Sequence, residues 1–116
     1  MSEDCLFCRI VAKEIPATVV HETGGTLAFR DIAPKAPVHV LVISKAHHAT
    51  VADLAAADPT LAGELLAAAG AVARREGLAG DGYRLIFNTG AHGGQEVDHV
   101  HAHVVGGAPL GPMLTR

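Results

Sequence analysis

An α+β fold is what this 116-residue sequence predicts: a five-stranded antiparallel sheet with one long and one short helix. Three observations carry that reading. His99-Val100-His101-Ala102-His103-Val104-Val105 alternates polar and apolar side chains with period two, the pattern of a half-buried strand. Gly24-Gly25 divides two short strand-like runs and marks a hairpin. Asp58-Pro59 opens a run in which Leu61, Leu65, Ala69 and Val72 recur at helical spacing.

The elements follow in order. Asp4 is placed to cap a short helix running to about Lys13, and Pro16 limits its extension. Val19 to Glu22 and Thr26 to Asp31 read as the two hairpin strands. Pro34 and Pro37 mark a loop before a third strand, Val38 to Ile43, rich in β-branched residues. The long helix begins at Asp58-Pro59 and stops at Gly77. Gly82 to Asn88 is a fourth strand and Asp98 to Val105 a fifth, followed by an irregular tail over residues 106–116. Residues 1–116 form one domain without repeats or linkers.

Composition narrows the class. Apolar residues make up 49% but aromatics only 3%, so alanine and valine fill much of the core. The net charge of −3 and the lack of a basic run argue against a nucleic-acid partner. The longest apolar stretch, Leu65 to Ala73, falls far short of the ~20 residues a membrane span needs. Met1-Ser2-Glu3-Asp4 is acidic and has no signal-peptide pattern, so a cytoplasmic location is expected.

Three of the eight histidines lie at positions 99, 101 and 103. Alternate strand side chains share a face, which sets the three imidazoles roughly 6–7 Å apart beside one another. Imidazole serves near neutral pH as nucleophile, proton carrier or metal ligand. A histidine-rich half-exposed strand is the bland alternative. A three-histidine metal face is another, but ligands from one strand need unusual bending to converge.

Cys5 and Cys8 form a lone Cys-x-x-Cys. A redox motif normally opens a helix after a strand, and a reducing compartment disfavours a disulfide. Zinc is the better reading, because the pair supplies two thiolates from one turn and two imidazoles complete a closed site. Buried free thiols are the remaining alternative.

The histidine run resembles the motif of the histidine triad (HIT) family. The resemblance extends from about Asp4 to Gly107. It takes in Cys5-Leu6-Phe7-Cys8, Leu27-Ala28-Phe29-Arg30-Asp31-Ile32, Ile43-Ser44-Lys45-Ala46-His47, Asn88-Thr89-Gly90 and Gly93-Gly94-Gln95. Gly106-Gly107 after the motif looks like the nucleotide-binding Hint-like branch, of the bacterial zinc-bearing type. The resemblance implies a HIT-like fold whose sheet extends across a homodimer. It implies a purine nucleoside phosphoramidate hydrolase, with His101 attacking the α-phosphorus to give a nucleotidyl-histidine. The acceptor of the second ring N–H of His101 is then a main-chain carbonyl.

His103 would donate hydrogen bonds to the phosphoryl oxygens or the bridging atom, and Asn88 would bond the phosphate. The backbone around Gly93, Gly94 and Gln95 would cradle oxyanions. The resemblance makes Asp31 the ribose contact, its bland role being to cap the next turn. It makes Leu6, Phe7, Ile10, Phe29 and Ile32 the purine slot, their bland role being plain core. It assigns a structural zinc to Cys5, Cys8, His47 and His99, with His48 an adjacent rival to His47. The chain departs from the pattern at Glu96, at Asp98 and in a tail without tryptophan. Three competing functions stand beside this one: a nucleotide-binding regulatory module with little turnover, a dinucleoside polyphosphate hydrolase, and a zinc hydrolase using the triad as ligands.

Overall fold

The computed structural model describes residues 4–114; Met1, Ser2 and Glu3 of the acidic N-terminus and the last two residues of the tail, 115–116, lie outside the described residues. Eight elements follow in order: α1 (Leu6–Val11), β1 (Val19–Glu22), β2 (Thr26–Arg30), β3 (Val38–Ser44), α2 (Val51–Ala57), α3 (Pro59–Arg75), β4 (Tyr83–Phe87) and β5 (His101–Gly106). The strands form one antiparallel sheet in the order β1-β2-β3-β5-β4. That order sets β5, which carries the histidines, between β3 and β4.

The sheet has two unlike faces, as strand alternation requires. Ala28, Val40, Val42, Ala102 and Val104 point to one side and pack against Leu61, Leu65, Ala68, Ala69, Val72 and Ala73 of α3. Alanine at three of those six helix positions lets the helix axis lie close to the sheet. Truncating Leu65, buried to 1% exposure, removes about 2–5 kcal/mol of packing. The opposite face carries Leu27, Phe29, Leu41 and Ile43, covered in part by Phe7 of α1. Among the described residues no helix is long and apolar enough to cross a membrane.

Several boundaries differ from those the sequence predicts. Asp4 does not cap α1; Cys5 does, its Sγ accepting from the Cys8 N–H at 3.3 Å. The helix stops at Val11, and Lys13 takes a left-handed φ of 65°. Two short helices are present rather than one. The additional α2 is capped by Thr50 Oγ1, which accepts from the Asp53 N–H at 3.0 Å. Only Leu54 of α2 is buried, so no apolar period announces it. Asp58 caps α3 as expected, its Oδ1 accepting from the Leu61 N–H. β5 pairs regularly from His101 rather than Asp98 and includes Gly106.

Candidate active site and metal cluster

The site lies on the sheet face turned away from α3. Register carries the odd-numbered positions of β2, β3 and β5 to that face: Ile43 stands opposite His101, Leu41 opposite His103, and Phe29 opposite Leu41. His39, two residues before Leu41 on β3, shares the face. The His101 and His103 ring centroids are 5.1 Å apart, closer than strand spacing alone gives, because the rings lean together. Phe7 sets its ring edge-on to that of His101 at 5.1 Å and to that of His99 at 6.0 Å. All three triad rings therefore lie on the α1 side. Val100, Ala102 and Val104 are buried on the other side.

Main-chain groups decide which ring nitrogen holds the proton on each histidine. A carbonyl only accepts. His101 Nδ1 is 2.8 Å from the His99 carbonyl, so Nδ1–H donates and Nε2 keeps its lone pair. His99 Nε2 is 2.7 Å from the Ser44 carbonyl, so Nε2–H donates and Nδ1 is bare. An amide N–H only donates. The Lys35 N–H donates to His39 Nδ1 at 3.0 Å, which leaves the proton of neutral His39 on Nε2. That proton points at His103 Nδ1, 2.9 Å away. His103 then carries its proton on Nε2, and this buried atom has no hydrogen-bond partner. An unpaired buried donor costs about 1–3 kcal/mol, and its ring centroid lies 5.1 Å from that of His101.

Burial keeps the His39 and His103 rings neutral. It pushes His103 down to about 4 from an ordinary 6.5, helped by neighbouring His101 and His39 and opposed by Asp31. It lowers His39 too, again against the pull of Asp31. Asp31 Oδ2 is 3.4 Å from His39 Nε2, and its Oδ1 accepts from the Ala33 N–H at 2.8 Å. The aspartate thus caps the following turn and also faces the His39–His103 pair. His39 is the site residue that sequence reasoning missed.

The second constellation is the cluster of Cys5, Cys8, His47 and His99, whose ligand atoms all lie within 4.8 Å of one another. His99 Nδ1 is 3.3 Å from Cys5 Sγ, 3.5 Å from Cys8 Sγ and 3.2 Å from His47 Nδ1; His47 Nδ1 is 3.3 Å from Cys8 Sγ. A tetrahedral site with sulfur at about 2.3 Å and nitrogen at about 2.0 Å spaces its ligands about 3.3–3.8 Å apart. The donor set fits such a site. His99 offers its bare Nδ1, and the Ser44 carbonyl orients the ring from behind. His47, not His48, joins the cluster; His48 contributes its carbonyl to the Val100 N–H. Burial holds the His99 imidazole down at about 4. Cys5 and Cys8 form no disulfide.

The remaining expected residues divide into groups. Phe7 and Phe29 are buried in one apolar cluster, with Ile10 packed against it. Leu6 is exposed on α1, and Ile32 is fully exposed and apart from that cluster. Asn88 directly follows β4, one step beyond the Phe87–Ala102 pair, which brings it level with His101. The amides of Gly94 and Gln95 donate inside their own loop, to the carbonyls of Ala91 and Gly90. The Gln95 side chain braces that loop, its Oε1 accepting from the Gly90 N–H and its Nε2 donating to the carbonyls of Ala49 and Val97. Gly93 admits no side chain, since a Cβ there would collide with the Thr89 backbone.

Fold and site together define a histidine-centred α+β domain with a separate two-cysteine, two-histidine cluster. Residues 12–110 match the family model described as HIT domain. The chain belongs to the HIT domain family. It is 47% identical to the purine nucleoside phosphoramidase of Escherichia coli K12 over 116 residues, covering all of this chain and 98% of that protein. Among solved structures it resembles a HIT family hydrolase from Legionella pneumophila, with a TM-score of 0.89 and 50% identity, covering 93% of this chain and 96% of that one. It also resembles a HIT family hydrolase from Clostridium thermocellum, with a TM-score of 0.92 and 42% identity, covering 97% and 98%.

Proposed function

We propose that this protein hydrolyses purine nucleoside phosphoramidates through a nucleotidyl-histidine intermediate. The observation that carries the reading is the pairing of a bare His101 Nε2 with the unpartnered Nε2–H of His103. The name of the Escherichia coli relative supports the substrate class. His101 Nε2 attacks phosphorus; the Nε2–P bond forms and the P–N bond breaks. The His103 Nε2–H donates a hydrogen bond to the departing nitrogen, and the amine leaves with a proton taken from solvent. Positive charge developing on His101 is stabilised by the His99 carbonyl bonded to its Nδ1–H. Water then attacks phosphorus, the O–P bond forms and the Nε2–P bond breaks; the water's proton returns to solvent, and the nucleotide and neutral His101 are released.

In this reading Asn88 holds the phosphate beside the braced Gly94–Gln95 loop, Asp31 holds the ribose, and Leu6, Ile10 and Ile32 border the purine, backed by Phe7 and Phe29. Cys5, Cys8, His47 and His99 hold zinc, which supplies a closed structural cross-link between α1, the segment after β3 and the start of the triad. A homodimer is supported by exposed Leu66 on α3 and by Tyr83 and Leu85 on the edge strand β4. The test is incubation with adenosine phosphoramidate, following AMP release and the intact mass after an alkaline quench. Release of AMP with a transient adduct of one nucleotide supports the reading. Bound AMP without turnover favours the regulatory module, and cleavage confined to dinucleoside polyphosphates favours that hydrolase.

A further inference from the structure

We propose that the metal cluster is a positioning device for His101, acting through the main chain of His99 and the ring of Phe7. The inference rests on the reading of His101 as nucleophile. His99 has two jobs within one residue. Its ring, wholly buried, is held between the Ser44 carbonyl and the other three cluster members. Its own carbonyl accepts the Nδ1–H of His101 and so determines which nitrogen of His101 faces the substrate. Ring and carbonyl share one Cα, so a ring held at both nitrogens anchors that Cα and limits how far the carbonyl can shift.

A second arm runs through α1. Cys5 caps this helix and Cys8 lies in its first turn. Phe7, between them in sequence, packs its ring against His101 and His99. Three of the four cluster residues therefore lie within two positions of a group that touches His101; His47 does not. With the cluster filled, both arms are fixed. With it empty, the His99 ring is held by its Ser44 bond and by contacts weaker than metal ligation, and α1 loses its tie to the sheet through Cys5 and Cys8. Attack geometry tolerates errors well below 1 Å, whereas nucleotide binding is spread over other residues. Loss of metal should then slow adduct formation far more than it weakens binding.

The experiment compares the zinc-loaded protein, the chelated protein, and the chelated protein given zinc alone. Three readouts are taken: the ¹⁵N–¹H imidazole spectrum of His101, the AMP affinity, and the single-turnover rate of adduct formation with adenosine phosphoramidate. The expected result is one His101 tautomer with zinc, with the proton on Nδ1, and a mixture of tautomers without it. AMP affinity should change less than about threefold, the adduct rate should fall at least tenfold, and zinc should reverse both changes. An unchanged His101 spectrum and adduct rate after zinc removal overturns the proposal.

If the chelated chain does not fold, zinc-loaded His99→Cys is compared with His47→Cys, each retaining four ligands. His99→Cys should slow adduct formation at least tenfold more than His47→Cys, and equal slowing overturns the proposal. Absence of any adduct in the zinc-loaded wild type refutes the nucleophile reading, and the His101 spectrum then decides the positioning by itself.

Discussion

His39 donates its Nε2–H to His103 Nδ1 across 2.9 Å, and the direction of that bond is imposed from outside the pair. The Lys35 amide occupies His39 Nδ1, so the proton of the neutral ring has only Nε2 to sit on. The consequence passes to His103, whose proton is forced onto the unpartnered Nε2. A loop amide four residues from His39 thereby fixes the tautomer of the residue proposed to assist the leaving group.

His39→Phe keeps a ring of similar size and removes the donor. His103 can then hold its proton on either nitrogen, and the correctly protonated fraction falls. We expect kcat to drop by about 10–100-fold with KM changed little, because the donor acts on the leaving group rather than on the bound nucleotide. Steady-state kinetics with adenosine phosphoramidate measures both constants. A rise in KM with unchanged kcat would contradict the relay.

His101→Gly should lose turnover by on the order of 10³–10⁶ and still bind AMP, since ribose, base and phosphate contacts come from other residues. His103 cannot take over, because its own proton blocks the nitrogen that faces the substrate. The adduct of the wild type should map to the peptide containing His101. Adduct on His103, or retained activity in the variant, would refute the assignment.

The face that carries this chemistry was half legible in the sequence. Period-two histidines stand out against apolar neighbours, so β5 and its orientation could be read directly. His39 interrupts a run of valines only once, and a single histidine in such a strand looks like a satisfied core residue. Its meaning depends on β3 lying beside β5, a long-range pairing that no local pattern encodes. His47 and His48 are adjacent, and only the turn after β3 decides which one reaches Cys8. Thr50 caps α2 through the Asp53 N–H, but a seven-residue helix with one buried side chain leaves no apolar period to detect. Cys5 rather than Asp4 caps α1, its Sγ accepting from the Cys8 N–H while lying within the four-residue cluster.

Acid should destabilise the fold partly through His103. Its imidazole sits at about 4 in the folded chain against 6.5 when exposed. Between those values the unfolded chain binds more protons, so stability falls as pH drops from 6.5 toward 4, by at most about 1.4 kcal/mol per pH unit for this ring. Below the folded value its contribution levels off. His103→Asn removes it, so its Tm should fall less steeply over that window. The cluster contributes alike to both proteins, and the difference between their thermal melts isolates His103. Parallel Tm curves would show that this ring does not titrate as described.

One zinc per chain should be found in protein purified without added metal. Cys5→Ser with Cys8→Ser should abolish it and lower Tm by on the order of 10 °C, because a site that exists only in the folded chain couples metal binding to folding. The core between the sheet and α3 includes none of the four residues, so the double variant should remain folded at 25 °C. Metal analysis and calorimetry test this. Protein that takes up no zinc at stoichiometric concentration, with both thiols freely titratable, would overturn it.

Asp31→Ala separates binding from chemistry. The carboxylate caps the Ala33 turn and stands 3.4 Å from His39 Nε2, so its loss bears on both the ribose side and the histidine pair. The electrostatic sign decides the second effect. Asp31 pulls the pKa values of His39 and His103 upward while burial pulls them down, and burial already wins. Removing the carboxylate drives both rings further toward neutrality, which is the state they already hold at pH 7. The Lys35 amide still sets the His39 tautomer. KM should therefore rise about tenfold or more, from the lost ribose hydrogen bonds, while kcat at saturation changes less than about threefold. Asp31→Asn keeps an acceptor for the Ala33 N–H, and its KM should fall between those of Ala and wild type. A collapse of kcat with KM unchanged would place Asp31 in the proton relay instead of on the ribose.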